Sequence, residues 1–165
     1  MADTKGYTVL IVEDEVPLLE TYAEILTGQS YTVLKADNGY KGLELLEQNK
    51  DQVAVMILDL MMPGMDGLEV LRKIKADAAK YGNPPVVVLT NMTSERVIKE
   101  AFMIGANSYL IKSELEAEDL LREVKKFENG TGGAATGNPG TDAPSAPTTD
   151  TPATDNPASD APAAE

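Results

Sequence analysis

The chain has 165 residues, a net charge of −13, and no cysteine, histidine or tryptophan, a length that allows one domain with a core and some surplus. The missing residue types exclude disulfides, thiolate and imidazole metal sites, and Ser-His or Cys-His triads, so any phosphohistidine chemistry must use a partner's histidine. An acidic field of this size repels a phosphate backbone at long range, which argues against a direct nucleic-acid partner.

The N-terminal Met1 to Gly6 lacks an apolar segment of signal-peptide length, and no later run approaches membrane-spanning length. A cytoplasmic protein with no membrane contact is therefore expected. Tyr7 to Val12 is a short β-branched run and reads as a strand buried on both faces; it ends in Glu13-Asp14. Pro17 suits the opening turn of a helix on which Leu18, Leu19, Tyr22, Ile25 and Leu26 recur at helical spacing until Gly28. Tyr31 to Ala36 reads as a second strand and Tyr40 to Gln48 as a second helix. Val53 to Leu58 is a third strand, running into Asp59.

A loop over Met61-Met62-Pro63-Gly64-Met65 follows, with the methionines expected as adaptable packing and contact surface. Asp66, with Glu69 three residues on, then forms a capping box for a helix carrying Leu68, Leu71, Ile74 and Ala78. Pro84-Pro85 introduces a fourth strand, Val86 to Thr90. Ser94 to Ile104 is a fourth helix closed by Gly105. Ser108 to Lys112 is a fifth strand, and Leu120, Leu121, Val124 and Phe127 mark a last helix.

Five strands alternating with five helices give an α/β fold with a parallel sheet covered on both faces. Right-handed crossovers favour the flavodoxin-like, doubly wound order 2-1-3-4-5, in which strands one and three are neighbours at the switch point. This domain occupies residues 1–129. From Gly130 to Glu165 the chain is almost wholly Gly, Ala, Thr, Pro, Asn, Ser and Asp, with four aspartates and Glu165 but no basic residue, which leaves the first 129 residues at −8. Such a segment cannot bury enough apolar surface to offset chain entropy, so a disordered tail is expected. Its Asp-x-Pro units at Asp150, Asp155 and Asp160 read as an extended spacer.

Ligands in open α/β sheets sit beyond the carboxyl ends of the strands. There the fold gathers Glu13, Asp14 and Asp59, with Thr90 and Lys112 on the neighbouring tips. Clustered carboxylates repel one another unless a cation joins them, which points to a hard metal such as Mg²⁺. Oxygen ligands, a hydroxyl and an ammonium around one carboxylate nucleophile suit phosphoryl transfer, a reaction that depends mostly on positioning and charge stabilisation.

Glu13-Asp14, the run Ile57 to Gly67 (ILDLMMPGMDG), Leu89-Thr90 and the run Gly105 to Lys112 (GANSYLIK) together resemble the receiver domain of bacterial two-component response regulators, of the CheY-like kind, over roughly residues 7–128. The resemblance implies that Asp59 accepts a phosphoryl group from a sensor histidine kinase or a histidine phosphotransfer protein. It further implies that Asp14, Asp59 and the Met61 carbonyl hold Mg²⁺, with Glu13 acting through a metal-bound water. Thr90 matches the hydroxyl that bonds the phosphoryl oxygen, Lys112 the cation that pairs with it, and Tyr109 the aromatic switch. No output domain is evident after the tail, so signalling to a downstream protein target is expected through the fourth helix, fifth strand and last helix, by shifting an existing equilibrium.

Two positions depart from the family pattern. Ser113 stands where receivers commonly carry a cis-linked proline, and a cis bond before another residue costs about 2.5 to 4 kcal/mol, so a trans bond or a strained loop is expected, with Ser113 and Glu116 as a capping box for the last helix. Asn91 is bulkier than the small residue often found after the threonine, and altered phosphorylation kinetics follow as an expectation. A haloacid-dehalogenase-like phosphatase would need a second Asp where Met61 stands, and a flavin binder a phosphate loop where Glu13-Asp14-Glu15 would repel the anion. The remaining alternative is a phosphorylation-independent binding scaffold of receiver fold.

Overall fold

A computed structural model describes residues 6–91 and 95–128. Five parallel strands form one sheet in the order β2-β1-β3-β4-β5, as the alternation of elements predicts. They are β1 (Thr8–Val12), β2 (Thr32–Ala36), β3 (Val53–Asp59), β4 (Val86–Thr90) and β5 (Ser108–Ile111). The helices are α1 (Val16–Thr27), α2 (Gly39–Gln48), α3 (Gly67–Ala76), α4 (Ala78–Tyr81), α5 (Glu95–Ile104) and α6 (Ala117–Glu128).

Alternation along the strands divides the core in two. Leu10, Val12, Met56, Leu58 and Val88 face Leu43 and Leu46 of α2, Val70, Leu71 and Ile74 of α3 and Ala101 of α5. Val9, Ile11, Ile57, Val87, Leu89 and Leu110 face Leu19, Tyr22 and Leu26 of α1 and Leu120 and Val124 of α6. The central strands β1, β3 and β4 are buried on both faces, which explains their continuous apolar runs; β2, at an edge, is partly exposed.

Among the described residues six α-helices form where five were expected. The additional turn, α4, arises because α3 stops at Asp77, whose backbone leaves helical geometry and whose side chain accepts the Lys80 N–H at 3.0 Å. Ala78 therefore opens a new turn instead of extending α3. Asp66 caps α3 as its position predicts, accepting the Glu69 N–H at 2.8 Å.

The start of α6 requires a correction. Ser113 lies inside a 3₁₀ turn over Lys112–Glu114 and does not cap the helix. Instead Asp119, three residues beyond Glu116, accepts the Glu116 N–H at 3.2 Å, which satisfies one of the donors left free at a helix start. The Lys112–Ser113 bond is trans. Ser94, expected as the start of the fourth helix, and the tail from Gly130 lie outside the described residues. The methionine loop also divides: Met62 and Met65 are core residues, whereas Met61 is 58% exposed.

Candidate functional site

Register brings the acidic tips together. Val12 pairs with Leu58, so Glu13 and Asp59 leave adjacent strands side by side. Thr90 pairs with Ile111, so Lys112 emerges one residue beyond the end of the β4–β5 ladder. Backbone bonds hold these exits: Glu13 N–H donates to the Ala36 carbonyl and Leu60 N–H to the Leu89 carbonyl, each at 3.0 Å.

Glu13 is fully buried and Asp59 almost so. Lys112, with its side chain 4% exposed, lies between them, its Nζ 2.6 Å from Glu13 Oε2 and 2.9 Å from Asp59 Oδ2. The Met61 N–H donates to Asp59 Oδ1 at 3.0 Å, and the Glu15 N–H to Glu13 Oε1 at 3.1 Å. Asp14 is half-buried and completes a trio in which Glu13, Asp14 and Asp59 each present a carboxylate oxygen, all within 4.8 Å of one another. Three carboxylates and one ammonium leave a formal charge of −2 in this small volume.

Burial dominates the protonation equilibria. It pushes the Glu13 carboxyl up to about 7, with the Asp59 charge adding to the shift and Lys112 opposing it. Asp59 is likewise raised by burial, against the pull of Lys112 and the Met61 N–H. For Lys112, burial works to lower the value, but hydrogen bonds to Glu13 and Asp59 outweigh it and hold the ammonium in its charged form.

The acidic trio suits a hard divalent cation. It offers only oxygen donors and carries the charge that such an ion would neutralise. Glu13 Oε2 lies buried against the Lys112 ammonium at 2.6 Å. Met61 meets the site through its main-chain N–H, which Asp59 accepts, while its side chain is exposed.

Thr90 closes β4 and is fully buried. Tyr109, half-buried, packs edge-to-face on Phe102 of α5, ring centres 6.0 Å apart, in the core layer opposite α6. Two contributors were missed in the sequence. Glu15 supplies the N–H to Glu13 and places a carboxylate oxygen 3.8 Å from Lys112, an addition that the acidic run 13–15 signals. Gly67 lets α3 start directly against the strand that ends in Asp59: a Cβ there would meet the Asp59 carbonyl oxygen at 2.3 Å. Its place at the end of the ILDLMMPGMDG run, one residue after the Asp66 cap, is the sequence signal for it.

An open parallel sheet with an acidic, lysine-bearing pocket at its switch point defines a flavodoxin-like α/β domain with a site at the strands' carboxyl ends. Residues 9–125 match the response regulator receiver domain, and the chain belongs to that family of two-component systems. It is 35% identical over 113 residues to the uncharacterized transcriptional regulatory protein YrkP of Bacillus subtilis, covering 68% of this chain and 46% of YrkP. It is 32% identical over 105 residues to the chemotaxis protein CheY homolog of Campylobacter jejuni, covering 63% of this chain and 79% of that protein. The structure of chemotaxis protein CheY4 from Vibrio cholerae superposes with a TM-score of 0.66 at 27% identity, covering 73% of this chain and 98% of that one. The chain thus spans less than half the length of YrkP, and the activities of such longer relatives do not transfer with the fold.

Proposed function

We propose that this receiver takes a phosphoryl group onto Asp59 from a phosphohistidine of a sensor histidine kinase or histidine phosphotransfer protein, in a Mg²⁺-dependent reaction, and signals through contacts with a downstream protein. The observation that carries this reading is the placement of Asp59: a buried carboxylate with one oxygen held by the Met61 N–H and the other by Lys112, beside Glu13 and Asp14. In the transfer an Asp59 oxygen attacks phosphorus, the N–P bond breaks, the imidazole leaves with the bonding pair, and an acyl phosphate forms.

Asp14, Asp59 and the Met61 carbonyl would hold the magnesium ion, with Glu13 acting through a metal-bound water, and the ion when bound offsets the negative charge between carboxylate and phosphoryl oxygens. Lys112, already aimed at Asp59, then pairs with a phosphoryl oxygen, and the Thr90 hydroxyl donates to another. Tyr109 follows Thr90 as the switch residue. With Ser113 following it, Lys112 still reaches Asp59 at 2.9 Å, which supports the phosphoacceptor reading over a phosphorylation-independent scaffold. The described residues contain no helix long and apolar enough to cross a membrane, and the reading places the protein in the cytoplasm with its kinase's catalytic domain.

Incubation with Mg²⁺ and acetyl phosphate, followed by intact-mass analysis, tests the proposal. The expected product is a labile single-phosphoryl adduct that is absent in Asp59→Asn and absent in EDTA. An adduct that persists in Asp59→Asn, or no adduct at all, overturns the reading.

A further inference from the structure

β5 is a four-residue strand at the sheet edge, held by hydrogen bonds to β4 alone. Both of its ends carry buried polar anchors to other elements. At its exit, Lys112 contacts Asp59 and Glu13. At its entry, Ser108 is fully buried and its Oγ donates to Glu123 Oε2 of α6 at 2.7 Å. Between them Tyr109 turns to the opposite face and packs on Phe102 of α5.

Glu123 is 2% exposed, on a helix face otherwise formed by Leu120 and Val124, and Lys126 one turn on also contacts it. A carboxylate in that position is costly unless its oxygens are satisfied, and a leucine would pack the same layer without that requirement. What a leucine would lack is a directional bond to the strand. Apolar contacts tolerate a strand sliding past a helix, whereas a short hydrogen bond to a charged acceptor does not.

We propose that the Ser108–Glu123 bond is a latch that makes α6 follow β5, so that a change at Asp59 that moves Lys112 is passed along the strand into α6. The inference rests on the reading of Asp59 as phosphoacceptor. It assigns to Ser108 and Glu123 a positioning role, distinct from the Tyr109–Phe102 contact that links the same strand to α5. The chain of contacts is contiguous: Asp59 to Lys112, along the peptide units of β5 to Ser108, and across to Glu123.

Amide NMR spectra of the full chain, recorded with and without Mg²⁺ and beryllium fluoride as a stable phosphoryl mimic, test the latch. In the unaltered chain, residues around Asp59, in α5 and in α6 all shift. Ser108→Ala and Glu123→Leu keep the shifts around Asp59 and in α5 and lose those in α6, whereas Glu123→Gln, whose amide oxygen still accepts from Ser108, keeps all three. The Glu123→Leu and Glu123→Gln pair decides the question even where Ser108→Ala fails to fold, because leucine suits the surrounding layer. Undiminished α6 shifts in Glu123→Leu, or α6 shifts lost equally in Glu123→Gln, overturn the latch while leaving the phosphoacceptor reading in place. No response anywhere in the unaltered chain overturns both.

Discussion

Two buried ionic clusters lie on this domain, and they are built to opposite rules. At the carboxyl edge of the sheet, Lys112 is shared between Glu13 and Asp59, with Asp14 and Glu15 close by, so acids outnumber the cation. At the entry of β5, Glu123 has a hydroxyl from Ser108 and a cation from Lys126, so charge and hydrogen bonds balance. The balanced cluster needs no charge from outside. In the unbalanced one, burial pushes both carboxyls up, and the excess of acid makes sense as a receptor for positive charge supplied from outside.

Removing the central cation breaks that comparison most forcefully. Lys112→Met leaves Glu13 and Asp59 buried without a counter-charge, a situation that costs about 3 to 5 kcal/mol in comparable buried pairs. Urea unfolding in metal-free buffer should show a loss of that order, with Mg²⁺ restoring part of it. A loss within experimental error would mean that water already solvates the acids and that the cluster is not strained.

Gly67→Ala has a smaller effect on stability but a direct one on the site. The new methyl group meets the Asp59 carbonyl oxygen at 2.3 Å and the Leu60 Cα at 2.7 Å, both backbone atoms with little room to yield. A destabilisation of about 1 to 3 kcal/mol is expected from overpacking, together with slower adduct formation because the strand tip bearing Asp59 must shift. Unchanged adduct kinetics would show that α3 can retreat without moving the nucleophile.

Acidity sharpens the contrast further. Glu13 has its folded value raised from the ordinary 4.5 to about 7, so its protonated form is the one that folding favours. Its contribution is present below 4.5 and lost as pH rises through about 7, and the raised Asp59 acts in the same direction. In EDTA, thermal unfolding should therefore occur at a lower temperature at pH 8 than at pH 5, by several degrees, with the difference diminished in Glu13→Gln. Mg²⁺ favours the ionised carboxylates, so its stabilising effect should be larger at pH 8. A metal-free protein more stable at pH 8 would contradict the strained-acid account.

Which parts of this arrangement could be read in the sequence follows from the range of the forces involved. The five strands and the sheet order were legible because β-branched runs buried on both faces leave a continuous apolar signature, and parallel crossovers restrict the topology. The gathering of Glu13, Asp14, Asp59 and Lys112 at one sheet edge was legible because each lies at the end of such a run. The break at Asp77 was not, since it depends on one side chain capping the next turn in competition with helix continuation. Neither was the Ser113 turn, where Asp119 takes over the capping of α6. Glu123 shows the limit clearly: an acid on an amphipathic helix reads as solvent-facing, and the approach of Ser108 from a distant strand, with Lys126 beside it, makes its burial tolerable.

The smallest expected effect completes the comparison, because it removes a cation from the balanced cluster as Lys112→Met does from the other. Lys126 has its side chain 30% exposed and joins Glu123 from one helical turn away, where solvent screens the pair. Glu123 keeps the Ser108 hydroxyl when the ammonium is lost, so Lys126→Met should cost about 1 kcal/mol or less in urea unfolding. The ratio of the two lysine substitutions is then a direct measure of how unequal the clusters are. Equal losses would mean that Glu123 depends on its ion pair as strongly as Asp59 and Glu13 do, and that the hydroxyl of Ser108 is a minor partner. A negligible loss would locate the satisfaction of that buried carboxylate in the bond that ties β5 to α6.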